Sequence, residues 1–127
     1  MAIKRIMVVD DSPTERHVLN EFLTRKGFEV IIAENGEQAI EKSKTEMPDL
    51  ILMDVVMPGI NGYQATRTIT RNESTRDIPV IMCTSKDLPT DRIWGMRQGA
   101  LDYMIKPVNL DELLGRIDQL NAAGGNE

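Results

Sequence analysis

RIMVVDDSPTE, residues 5–15, holds two kinds of local structure in one short stretch. The first five residues are almost wholly apolar and show no helical or alternating period, as a strand buried on both faces requires. Ser12, Pro13 and Glu15 open a helix: S-x-x-E is a capping box, and proline suits the first helical position. A strand that runs straight into a helix is half of a β–α unit. Between the two stand Asp10 and Asp11. At roughly 5 Å and an effective dielectric of ~20, their repulsion is on the order of 3 kcal/mol. A helix start needs no such pair, although acidic residues do favour helix N-termini.

The pattern repeats outward along the chain. EVIIA (29–33), DLILM (49–53), PVIMC (79–83) and DYMI (102–105) are further short apolar runs. Helices are expected over 13–26, 36–46, 62–71, 89–98 and 109–121. The first carries Val18, Leu19, Phe22 and Leu23 at helical spacing and stops at Gly27. The last carries Leu110, Leu113, Leu114, Ile117 and Leu120. The fourth is the weakest, because Gly95 in its middle costs about 1 kcal/mol relative to Ala. Five β–α units in series imply right-handed crossovers and an α/β, doubly wound five-stranded parallel sheet with helices on both faces. Residues 1–127 form a single domain with no second domain expected, and AAGGNE (122–127) reads as a frayed tail.

Composition narrows the function classes. Net charge is −5 and the sequence pI about 4.9, without a basic block, which argues against nucleic-acid binding. No run approaches the ~18 apolar residues of a membrane span, and the N-terminus lacks a signal-peptide pattern, so a cytoplasmic protein is expected. Cys83 is the one cysteine and lies in an apolar run, where it serves as a small buried hydrophobe. His17 falls off the apolar stripe and is expected at the surface. Trp94 reads equally as a core anchor or a partner-facing aromatic.

In an open parallel sheet, ligands bind beyond the carboxyl ends of the strands. Asp10 and Asp11 follow the first run, Asp54 the third, Thr84 and Ser85 the fourth, and Lys106 with Pro107 the fifth. Singly, these read as a helix-start decoration, a turn former, loop hydroxyls and a surface lysine. Together they offer oxygen ligands for a hard divalent cation such as Mg²⁺, a carboxylate nucleophile, and an ammonium to neutralise a phosphoryl group.

These residues carry a resemblance. VVDD (8–11), LILMDVVMPGINGY (50–63), IPVIMCTSKD (78–87) and DYMIKPV (102–108) resemble the receiver domains of bacterial response regulators, including the chemotaxis type. The resemblance spans about 4–121 and implies a flavodoxin-like sheet of order 2-1-3-4-5. It implies phosphorylation of Asp54 by a sensor histidine kinase or its phosphotransfer domain. One Mg²⁺ would lie on Asp10, Asp11, Asp54 and the main-chain carbonyl of Val56. Lys106 would pair with the phosphoryl group and Thr84 would be the switch hydroxyl. Tyr103 would be the aromatic that turns inward, and the Lys106–Pro107 bond would be cis. A binding module rather than an enzyme follows, with only self-catalysed phosphotransfer and hydrolysis. Val56 and Lys86 depart from the chemotaxis pattern at two positions that, in the family, tune attack by water on the acyl phosphate.

DDSPTE, NGYQATR and DRIWGMRQGALDY further resemble single-domain receivers of type IV pilus and twitching-motility systems. A downstream motility or pilus protein would then be the output partner. The expected state is a monomer, with dimerisation on phosphorylation left open. Three rivals differ in observable ways. A haloacid-dehalogenase-type phosphatase would need a second Asp where Val56 stands, and a flavin carrier would have its phosphate repelled by Asp10 and Asp11. A scaffold used without phosphorylation would not need the complete acceptor set.

Overall fold

The computed structural model describes residues 2–125. Strands β1 (Arg5–Val9), β2 (Glu29–Ala33), β3 (Leu50–Met53), β4 (Val80–Thr84) and β5 (Asp102–Ile105) alternate with five helices. The helices are α1 (Pro13–Arg25), α2 (Gly36–Glu46), α3 (Gly62–Arg71), α4 (Pro89–Arg97) and α5 (Leu110–Gly125). All neighbouring strands pair in parallel, in the order β2-β1-β3-β4-β5. This is the doubly wound, flavodoxin-like arrangement expected from the runs and the resemblance.

Side-chain alternation along the strands builds a core on each face. Ile6, Val8, Leu50, Leu52, Ile81 and Cys83 pack with Leu19, Leu23, Leu113 and Ile117 of α1 and α5. Met7, Val9, Ile51, Met53 and Val80 face the other way, onto Ala39, Ala65 and Ile69 of α2 and α3. Burial of Cys83 pushes its thiol up to about 12, so it stays protonated and unreactive. His17 is exposed, as its position off the stripe implies.

Three details differ from the sequence reading, and the exposure of Trp94 decides between two readings it left open. Val18 is 48% exposed, because α1 packs through Leu19 and Leu23 and turns Val18 to its rim. The helix α5 continues through residues 122–125, where a frayed tail was expected; Ala122 and Ala123 are strong helix formers that carry it onward. Residues 126–127 lie outside the described residues. Trp94 is 48% exposed on α4 and anchors no core. Gly95, read as a weakness in α4, is what lets that helix approach the sheet. A Cβ there would lie 2.8 Å from Met82 Sδ and 3.0 Å from the Tyr103 ring.

Candidate functional site

The site is built at the point where the strand order reverses between β1 and β3. Asp10 N–H donates to the Ala33 carbonyl at 3.2 Å, and Asp54 N–H donates to the Val9 carbonyl at 3.0 Å. The register that pairs Val9 with Met53 therefore carries both aspartates to the same edge. Both are buried, while Asp11 is exposed. One carboxylate oxygen from each of Asp10, Asp11 and Asp54 lies within 4.8 Å of the others. Opposed oxygens on Mg²⁺ stand about 4 Å apart, given bonds of ~2.1 Å. The donor set is all oxygen and its spacing admits such an ion.

Lys106 enters from the end of β5, held by its N–H to the Thr84 carbonyl at 2.8 Å. Its ammonium contacts Asp10 Oδ2 at 2.9 Å, Glu15 Oε2 at 2.7 Å and Asp54 Oδ1 at 3.4 Å. Burial by itself would lower this ammonium. Its hydrogen bonds to Glu15 and Asp10 and the charge of Asp54 outweigh burial and hold Lys106 above the ordinary lysine range. The Lys106–Pro107 peptide is cis, as the resemblance implies.

Asp54 responds in the opposite sense to its charge. Desolvation first, and then the neighbouring Asp10 carboxylate, raise its carboxyl to about 6, against the opposing pull of Lys106 and the Val55 N–H. That N–H donates to Asp54 Oδ1 at 2.8 Å and fixes the side chain. The loop that follows is pressed tightly against the same residue. A Cβ on Gly62 would stand 2.0 Å from the Asp54 carbonyl oxygen. Gly62→Ala is therefore expected to destabilise the fold by about 1–3 kcal/mol, the usual cost of overpacking, and to displace Asp54. A thermal melt checks the first effect and Mg²⁺ binding the second.

Thr84 ends β4 fully buried, and its Oγ1 accepts the Lys86 N–H at 3.2 Å. Ser85 is exposed beside it. Val56 is 56% exposed at the rim, so its side chain adds an apolar surface there. Tyr103 points inward and is buried. Its hydroxyl donates to the Lys86 carbonyl at 2.8 Å. Burial foremost, then the Tyr63 hydroxyl at 3.4 Å, hold the Tyr103 phenol above its ordinary range.

Three partners were not foreseen from the sequence. The Tyr63 hydroxyl donates to the Asp91 carbonyl at 3.2 Å, tying α3 to α4 beside Tyr103. Arg92 Nη1 donates to the Tyr103 carbonyl at 3.2 Å. Of the capping box that Ser12 and Glu15 suggest, only half forms. Ser12 Oγ accepts the Glu15 N–H at 3.3 Å, but Asp10 Oδ1 takes the Ser12 N–H at 2.9 Å. The Glu15 carboxylate goes to Lys106 instead, because an ammonium is a stronger partner than an amide already satisfied.

Comparison with known proteins agrees with this geometry. The chain is 50% identical over 118 residues to Protein PilH of Pseudomonas aeruginosa, covering 93% of this chain and 98% of that one. It spans about half the length of several transcriptional regulators that it also matches. Among solved structures, the chemotaxis protein CheY4 of Vibrio cholerae superposes with a TM-score of 0.86 at 28% identity, covering 93% of this chain and 98% of that one. The receiver domain of the sensor histidine kinase PA1611 of Pseudomonas aeruginosa, solved with a magnesium ion coordinated in its active-site cleft, gives 0.85 at 33% identity, covering 93% and 97%. The family model for the response regulator receiver domain matches residues 6–118. The chain is a response regulator receiver, and within that family it belongs with the PilH-like proteins.

Proposed function

We propose that this receiver accepts a phosphoryl group on Asp54 from a sensor histidine kinase or its phosphotransfer domain. The observation that carries the reading is the Asp54 carboxylate, fixed at the sheet's reversal point beside Lys106 and the Asp10–Asp11 pair. With its carboxyl raised only to about 6, Asp54 is mostly ionised at neutral pH and available as a nucleophile. An Asp54 oxygen attacks the phosphorus in line. The new O–P bond forms as the P–N bond to the donor imidazole breaks, and the electron pair leaves on that nitrogen. With acetyl phosphate the broken bond is P–O and the pair leaves on acetate.

Asp10, Asp11, Asp54 and the Val56 carbonyl would hold one Mg²⁺, which when bound supplies charge neutralisation for the phosphoryl oxygens. Lys106 pairs with one phosphoryl oxygen and the Thr84 hydroxyl donates to another. Engagement of Thr84 draws on the Lys86 segment that also receives the Tyr103 hydroxyl. Phosphorylation thereby shifts the population of α4, β5 and α5 conformers and changes partner affinity. Val56 offers no side chain to orient a hydrolytic water, which favours slow loss of the phosphoryl group.

The protein acts as a signalling module in the cytoplasm, as a monomer before phosphorylation. Among the described residues no helix is long and apolar enough to cross a membrane. Likeness to PilH favours pilus-driven motility as the output, with a motility or pilus protein downstream. Phosphotransfer from a panel of histidine kinases tests the reading. A cognate kinase is expected to pass its label to the wild type and not to Asp54→Ala. Equal labelling of the variant would move the acceptor elsewhere.

A further inference from the structure

We propose that Glu15 is a positioning residue of the acceptor site: it holds Lys106 at rest, and an incoming phosphoryl group must win the ammonium from it. The inference rests on the acceptor reading above. Of the three carboxylates around the Lys106 ammonium, Glu15 is the nearest, at 2.7 Å against 2.9 Å for Asp10 and 3.4 Å for Asp54. It is also the one that stands outside the metal-competent set of Asp10, Asp11 and Asp54. A cation on that set competes with Lys106 for the Asp10 and Asp54 oxygens. Glu15 is then the carboxylate left to retain the ammonium.

The placement is particular to the start of α1. Pro13 and the Ser12 cap set the first turn, and Asp10 Oδ1 satisfies the amide that Glu15 would otherwise take. The Glu15 side chain is thereby free to cross to the β5 end, where it remains 45% exposed while Lys106 is only 16% exposed. The ammonium donates to Asp10 and Glu15 and lies 3.4 Å from Asp54. A phosphoryl oxygen on Asp54 gains Lys106 at the expense of the exposed member, Glu15. The strength of that contact therefore sets part of the free energy of phosphoryl uptake.

Glu15→Gln removes the charge and leaves the Ser12 cap intact, since the cap uses the Glu15 backbone and not its side chain. With saturating Mg²⁺, single-turnover labelling by acetyl phosphate is expected to run roughly threefold or more faster in Glu15→Gln than in wild type. Beryllofluoride, bound in place of the phosphoryl group and measured by calorimetry, should tighten by a similar factor. In a Lys106→Met background the same substitution should change neither quantity, because its effect runs through the ammonium. An equal or slower rate in Glu15→Gln would overturn the proposal. So would an acceleration that persists without Lys106, which would reflect only weaker repulsion of the anionic donor. If wild type itself takes no label, the acceptor reading fails; if wild type is labelled and Glu15→Gln is no faster, only the role of Glu15 falls.

Discussion

Replacing Asp54 by Asn is expected to stabilise the metal-free protein by on the order of 3 kcal/mol at about pH 8. The Asp54 carboxyl stands at about 6 in the folded chain against an ordinary 3.8. The folded state therefore binds its proton more tightly than the unfolded chain does. Stability from this group is greatest below about pH 4, falls as pH rises through the window to about 6, and stays low above it. The cause is desolvation of the carboxylate and its proximity to Asp10, only partly offset by Lys106. Melting curves of wild type and Asp54→Asn in a chelator should differ by roughly 10 °C at pH 8 and converge near pH 4. Equal curves at high pH would show that Asp54 bears no burial penalty in the folded state.

The second large effect is the counterpart of the first. A site that crowds three carboxylates is destabilised until a cation joins it, so Mg²⁺ should stabilise the fold. At a concentration a hundredfold above its dissociation constant the gain is about 2.7 kcal/mol, a rise of several degrees in melting temperature. Asp11→Ala removes the exposed member of the set without opening a core cavity, and should lose most of that gain. Asp54→Asn should respond weakly too, although it starts more stable than wild type. Mg²⁺ titrations followed by thermal melting separate these cases. A wild-type melting temperature indifferent to Mg²⁺ would remove the metal from the site.

Much of this site is legible in the sequence because short buried strands leave little freedom at their ends. Once RIMVV, DLILM, PVIMC and DYMI are read as parallel strands, the next polar residue on each must meet the others at one edge. That places Asp10, Asp54, Thr84 and Lys106 without reference to any partner. The start of α1 is legible too, since Ser12 accepts the Glu15 amide of its first turn as the sequence suggests.

What escaped was set by tertiary competition. Glu15 carries a valid capping-box signature, but Asp10 takes the Ser12 amide and the distant Lys106 takes the Glu15 carboxylate, so one half of the box is lost. Gly95 reads as a helix defect until the Tyr103 ring beneath it is known. Tyr63 lies at helical spacing with buried residues of α3, and nothing in its surroundings along the chain points to Tyr103, forty residues on. Val18 fits the apolar stripe of α1, yet a stripe cannot say where the helix rotates its margin into solvent. Glu15 and Tyr63 each have an acceptable local role, and a neighbour far away in the chain decides what they do.

The central claim, that Asp54 is a Mg²⁺-dependent phosphoryl acceptor, is tested most directly by mass spectrometry after incubation with acetyl phosphate. One added phosphoryl group per chain is expected when Mg²⁺ is present and none in chelator. Borohydride trapping should place it at Asp54, and Asp54→Ala should remain unmodified. A phosphoryl group mapped to any other residue, or no modification of wild type with Mg²⁺ present, would contradict the account.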